Sequence, residues 1–131
     1  MKRSLFAACI VAATTIAAGA QSEPTENTLT VPTAAALAEL CADTSSSNAM
    51  MTTAAQNFCR GYLLGAYHIL VQVNAARGKP AFCIPNPSPT QNQAIAEFVA
   101  WAKANPSGAS LPPADGVYEF LTQRFPCPGN R

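Results

Sequence analysis

Phe58-Cys59-Arg60-Gly61-Tyr62-Leu63-Leu64-Gly65-Ala66-Tyr67 is the stretch on which the fold turns. It opens the longest helical pattern in the chain, predicted from about Ala54 to Arg77 with Thr52 or Thr53 as its cap. Gly78 suits the position after the last turn. Arg77 and Lys79 suit the negative end of the helix dipole, and Pro80 bars continuation. Laid out at about 100° per residue, Phe58, Tyr62, Gly65, Ile69 and Val73 fall on one stripe, with Leu63, Ala66 and Leu70 beside it. That stripe is the expected core face. Leu64, Tyr67 and Val71 form a second stripe on roughly the opposite side. A helix apolar on two sides is central to its bundle or packs against another chain, so this second stripe is the candidate surface for a homodimer or a protein partner. Gly61 and Gly65 stand four apart in the same run. Each costs about 1 kcal/mol against alanine in a helix interior. The pair therefore predicts a close backbone approach, either by another helix of the bundle or by a partner.

Working outward, Thr33 is placed to cap a short helix over Ala34 to Cys41, with Ala36, Leu37, Leu40 and Cys41 able to face inward. Ala42 to Met51 reads as a loop around Asp43-Thr44-Ser45-Ser46-Ser47-Asn48. Beyond the long helix, Phe82-Cys83-Ile84-Pro85-Asn86-Pro87-Ser88-Pro89 is a stiff, extended connection. Thr90 and Gln93 make a capping box for a third helix that buries Ile95, Phe98, Val99 and Ala102. Trp101 lies to one side of that face, as a partly buried core residue or as an anchor for a partner. Asn105-Pro106-Ser107-Gly108 ends this helix. Pro113 starts a fourth, from about Ala114 to Arg124, lined on its inner side by Val117, Phe120, Leu121 and Phe125. Gly116 weakens its start slightly. No β pattern competes, and the expected fold class is all-α, a small bundle of about four helices stapled by disulfides.

The N-terminus has the three-part plan of a secretory signal: basic Lys2-Arg3, an apolar run from Leu5 to Ala18, and the small-x-small site Ala18-Gly19-Ala20. The run is shorter than the roughly 20 residues a membrane span needs. Residues 1–20 are the expected signal peptide, cleaved after Ala20, with no membrane anchor thereafter. Residues 21–32, with Pro24 and Pro32, read as a flexible tail, and residues 33–128 as the folded domain. Cys9 falls inside the apolar run too close to the N-terminus for a lipoprotein cysteine. The full chain has eight Lys/Arg and seven Asp/Glu. Without Lys2 and Arg3 the cations are six, a net charge of −1. With no basic block left, binding to nucleic acid or to an anionic membrane by charge is not expected.

Four cysteines then remain, Cys41, Cys59, Cys83 and Cys127, an even count that in a small exported domain implies two disulfides. The short loop between the third and fourth helices makes them antiparallel neighbours. Cys83, before the third, should then meet Cys127, after the fourth, which leaves Cys41 for Cys59. Each closure is worth roughly 3–4 kcal/mol in the chain-entropy picture. The cysteines lack CxxC spacing and the chain has one histidine, His68, so neither a zinc site nor any cofactor is expected. His68 lies between the two stripes and is assigned no role. Nucleophilic catalysis needs a base beside its nucleophile. The nearest thing to a carboxylate pair, Asp115 and Glu119, is one helical turn apart and is ordinary for an exposed helix face. The chain is not expected to be an enzyme.

Phe58-Cys59-x-Gly61-Tyr62-x-x-Gly65, Phe82-Cys83-Ile84-Pro85, Asn105-Pro106 with Leu111-Pro112, and Phe125-Pro126-Cys127, in this order behind a signal peptide, resemble the Rap/Tai immunity proteins. The likeness covers roughly Leu37 to Pro128. It implies a small helical periplasmic protein with disulfides that binds and blocks a peptidoglycan amidase effector of type VI secretion, often as a dimer. The matching motifs are structural residues, so the resemblance transfers no effector-contact positions. A periplasmic acid-stress chaperone of small helical type is the alternative. Seven acids and one histidine are few titrating groups for loosening at low pH.

Overall fold

The computed structural model describes residues 30–42 and 48–129. The expected signal peptide (residues 1–20), the expected tail as far as residue 29 and the centre of the Ser-rich loop (residues 43–47) lie outside the described residues. Among the described residues five helices follow in order: α1 Ala34–Ala42, α2 Ala49–Ala75, α3 Gln91–Ala104, α4 Pro106–Ala109 and α5 Pro113–Arg124. No strand occurs among the described residues. The fold is a small all-α bundle.

Local chemistry sets the boundaries. The Thr33 Oγ1 accepts from the Ala36 N–H at 3.2 Å at the start of α1. Helix α2 begins five residues earlier than Ala54, because Asn48 caps it: its side chain accepts from the Met50 N–H at 3.0 Å. Thr53, one of the two caps expected, instead lies inside the helix and donates its hydroxyl to the Ala49 carbonyl at 2.9 Å. At the start of α3 the Thr90–Gln93 capping box is formed in both directions. The stretch expected as a plain break after α3 contains the extra one-turn helix α4, with Pro106 in its first turn.

Helix α1 is the hub. It packs against each of the other four helices. Its fully buried residues are Ala34, Leu37 and Ala38, whereas Ala36 and Leu40, expected to face inward, are only half-buried. The reason is position: Ala34, Leu37 and Ala38, spaced i, i+3 and i+4, share the face turned to the core, and Ala36 and Leu40 lie off that face. Val31, placed in the expected loose tail, also packs on this core. The aromatic centre lies beside α1: Phe98 meets Phe120 edge-on at 5.6 Å between ring centroids and Trp101 at 5.9 Å, and Phe120 meets Phe125 at 6.3 Å. Val117, Phe120, Leu121 and Phe125 are all buried, as expected for the last helix. On α3 the buried set is Phe98, Trp101 and Ala102, with Ile95 and Val99 half-buried. Trp101 therefore belongs to the core, and its indole N–H donates to Gln123 Oε1 at 2.8 Å. Cys41 is joined to Cys59 and Cys83 to Cys127, with Cα–Cα separations of 5.2 and 4.8 Å.

The tight backbone approaches are not where the long helix predicted them. A Cβ at Gly61 or Gly65 would meet nothing within 4 Å. A Cβ at Gly116 would lie 2.3 Å from the Ala34 Cβ, and one at Gly108 would lie 2.7 Å from the Trp101 ring. Gly116 thus lets α5 close on α1, and the Ala34 N–H donates to the Leu111 carbonyl at 2.9 Å in the same corner. Gly116→Ala is expected to destabilise the protein by about 1–3 kcal/mol. Gly61→Ala and Gly65→Ala should each stabilise it by about 0.5–1 kcal/mol. Urea denaturation of the oxidised protein measures all three.

Candidate protein interface

Helix α2 divides by rows four residues apart. Phe58, Tyr62, Ala66, Leu70 and Asn74 form one row, and Cys59, Leu63, Tyr67 and Val71 the next; every member is buried or half-buried. The other two rows, Arg60, Leu64, His68, Gln72 and Gly61, Gly65, Ile69, Val73, are exposed throughout. This corrects both predicted stripes. Gly65, Ile69 and Val73, expected on the core face, point away from it, with Ile69 64% and Val73 48% exposed. Tyr67 and Val71, expected on the opposite side with Leu64, pack against the core, and Leu64 alone of the three is exposed. The physical reason is that i+4 rows are inclined by about 26° to the helix axis. The bundle follows such rows, whereas a stripe at constant angle runs along the axis. The two agree near Phe58 and Tyr62 and separate over the following turns.

The outcome is an unpartnered apolar surface. Met50, Met51, Leu64, Ile69 and Val73, the exposed large hydrophobics among the described residues, all lie on α2. Arg60 is the one charged residue in the helix. His68 is exposed on the same surface, its ring 5.9 Å from that of Tyr67. An exposed apolar face of this kind marks contact with another macromolecule more often than it marks chemistry.

The surface is held stiffly by what lies behind it. Asn74, in the last turn of α2, accepts through Oδ1 from the Ala81 N–H at 2.7 Å and donates through Nδ2 to the Phe82 carbonyl at 2.8 Å. The Cys83 N–H donates to the Phe125 carbonyl at 2.8 Å, and the Cys83–Cys127 bond ties the same segment to the end of α5. Nothing in periodicity singles out Asn74. Its only signal was an amide of low helix propensity close to a predicted helix end. Beside the Cys83–Phe125 junction Arg124 grips Glu97 with two contacts of 3.0 Å, a partly exposed pair of small energetic weight.

Glu119 accepts from Gln123 Nε2 at 2.8 Å, and Asp115 stands exposed in the first turn of α5. Among the described residues no group of three or more His, Cys, Asp or Glu could hold a metal ion, and no helix is long and apolar enough to cross a membrane. Burial, and secondarily the negative charge of Asp115, raise the Tyr62 hydroxyl above its ordinary pKa.

Two outcomes follow from the sorting of α2 into open and packed rows. Leu64→Glu and Ile69→Glu should leave the unfolding free energy within about 0.5 kcal/mol of wild type, since neither side chain is needed by the bundle. Tyr62 holds its proton more firmly folded than unfolded. Its contribution is therefore complete below the ordinary tyrosine pKa of about 10 and is lost as pH rises through the folded value. Melting temperatures taken through the alkaline range should fall less steeply in Tyr62→Phe than in wild type.

The family model for Rap1a immunity proteins matches residues 33–127, well over half of the chain and all five helices as far as Cys127. No curated protein and no solved structure gives a significant match. With that match laid over the hub helix, the two cysteine pairs and the apolar outer rows, the chain belongs to the Rap1a immunity proteins, a family of binders of a cognate effector protein.

Proposed function

We propose that the protein is a periplasmic immunity protein that binds and inhibits a peptidoglycan amidase effector delivered by type VI secretion, without catalysing a reaction itself. Residues 1–20 serve as its signal peptide and are removed after Ala20 during export. The observation that carries the reading is that Leu64, Ile69 and Val73, three exposed large hydrophobics, stand together on the outer rows of one long, nearly uncharged helix. A charge-poor apolar patch of this kind suits the desolvated centre of a tight protein interface, where an unpaired charge would weaken binding. The disulfides and the Asn74 clamp add preorganisation, so little ordering entropy is lost on binding. Leu64, Ile69 and Val73 are the proposed contact residues, with Tyr67 at their edge and Val71 supporting the helix from the core side. A homodimer through the same rows is the other occupant we propose for this face.

The test uses oxidised protein as bait against secreted and periplasmic extract of the source bacterium. The expected result is a stoichiometric complex with one peptidoglycan amidase, whose cleavage of purified sacculi stops when the protein is added in slight excess. Ile69→Glu combined with Val73→Lys should weaken that complex by about tenfold or more, roughly 1.4 kcal/mol. Sedimentation of the protein alone reads the dimer. An amidase that is captured yet keeps full activity, or a complex indifferent to both substitutions, would sink the reading.

A further inference from the structure

Leu64 and Tyr67 do more than border the outer rows. With Ile84, Pro89, Ala94 and Leu121 they bound a cavity of about 230 Å³ that runs inward from the exposed Leu64 to the buried Phe120. No acidic or basic side chain is among the residues that line it. Its walls come from α2, α3, α5 and the Pro-rich connection, and they are fixed. The connection is clamped by Asn74 and by the Cys83–Cys127 bond, and Gln91 Nε2 reaches the Arg60 carbonyl at 3.4 Å across the gap between α3 and α2. The cavity therefore does not close by collapse of its rim. Ala94, one turn before the fully buried Phe98 on α3, gives the cavity the smallest of its lining side chains. An unfilled apolar space beside a core forfeits packing contacts.

We propose that this cavity seats one bulky uncharged side chain, phenylalanine or leucine, projecting from the partner bound on the outer rows of α2. The inference rests on the partner-binding reading above and names the chemistry by which the partner is held. Three observations select this occupant. The volume is below the roughly 300–1,000 Å³ usual for small-molecule sites, and a cavity of about 150 Å³ already takes a benzene ring. The lining has no charge to pair with an ionic group, so a charged occupant would be desolvated without compensation. The mouth at Leu64 is continuous with the exposed row that also carries His68, so a partner lying on that row passes over it. An anchor side chain in a rigid pocket ringed by flat apolar contact is the arrangement that concentrates binding energy in protein interfaces.

The test uses isotope-labelled protein purified in its oxidised form from the periplasm of an exporting host. The probes are N-acetyl-phenylalanine amide and N-acetyl-leucine amide, with N-acetyl-glutamate amide and dodecanoate as comparisons. The first two should give saturable amide shifts at Leu64, Tyr67, Ile84 and Ala94 in the millimolar range, and the glutamate probe none there. Ala94→Phe should weaken both apolar probes by about tenfold or more and raise the melting temperature, because it fills the space. Ala94→Met serves the same purpose if the larger residue does not fold. Absence of saturable shifts, shifts that map elsewhere, or shifts unchanged in the filled variants would overturn the proposal. Tighter binding of dodecanoate at these residues would also overturn it, by assigning the cavity to an acyl chain. The probes are free amino-acid derivatives, so an empty cavity and a failed capture of an amidase are separate results.

Discussion

The approach of α5 to α1 at Gly116 and Ala34 is the constraint on which the rest of the bundle depends. A nine-residue helix has little surface, yet α1 touches every other helix. It does so by carrying alanine where its neighbours press in and one fully buried leucine, Leu37, where space remains. Because the α1–α5 distance is set by the absence of one Cβ, the aromatic cluster beside it, with Phe120 edge-on to Phe98 and Phe125 and Trp101 stacked on Phe98, packs without a wedge between the layers. Gly108 repeats the device under the Trp101 ring, and the short helix α4 exists to bring that glycine there.

The two disulfides complement this hub. In the chain-entropy picture, closing 18 and 44 residues removes about 3 and about 4 kcal/mol of denatured-state freedom. That is a large share of the stability available to a domain of this size. The exposed apolar face and the sources of stability are thereby separated. The core, the hub and the cross-links hold the bundle, and one long helix presents an apolar face that the bundle itself does not use.

Much of the architecture was legible in the sequence because helices, caps and cysteines are local signals. Thr90 and Gln93 announce α3, Pro113 announces α5, and antiparallel neighbours bring Cys83 to Cys127. What failed was anything that depended on how helices cross. The stripe Phe58, Tyr62, Gly65, Ile69 and Val73 assumes a partner lying along the α2 axis, whereas the bundle follows rows inclined to it. Gly61 and Gly65 were conspicuous because they interrupt an apolar run, yet they face open space. Gly116 looked like a minor weakness because sequence spacing says nothing of Ala34, more than eighty positions away, arriving opposite it. The candidate interface was half visible for the same reason. The helical stripes turn Leu64 outward, as the structure does, but turn Ile69 and Val73 to the core, and the cavity at Ala94 has no sequence signature at all.

The sorting of α2 into two packed and two open rows has an evolutionary meaning. The open rows between Arg60 and Val73 lie outside both covalent rings, one closed by residues 41 and 59 and the other by 83 and 127. Substitutions there alter neither the hub, nor the aromatic cluster, nor the cross-links. A protein so arranged is free to change this outer face, position by position, while its scaffold stays constant. That freedom is what a defence protein needs when the molecule it must neutralise keeps changing.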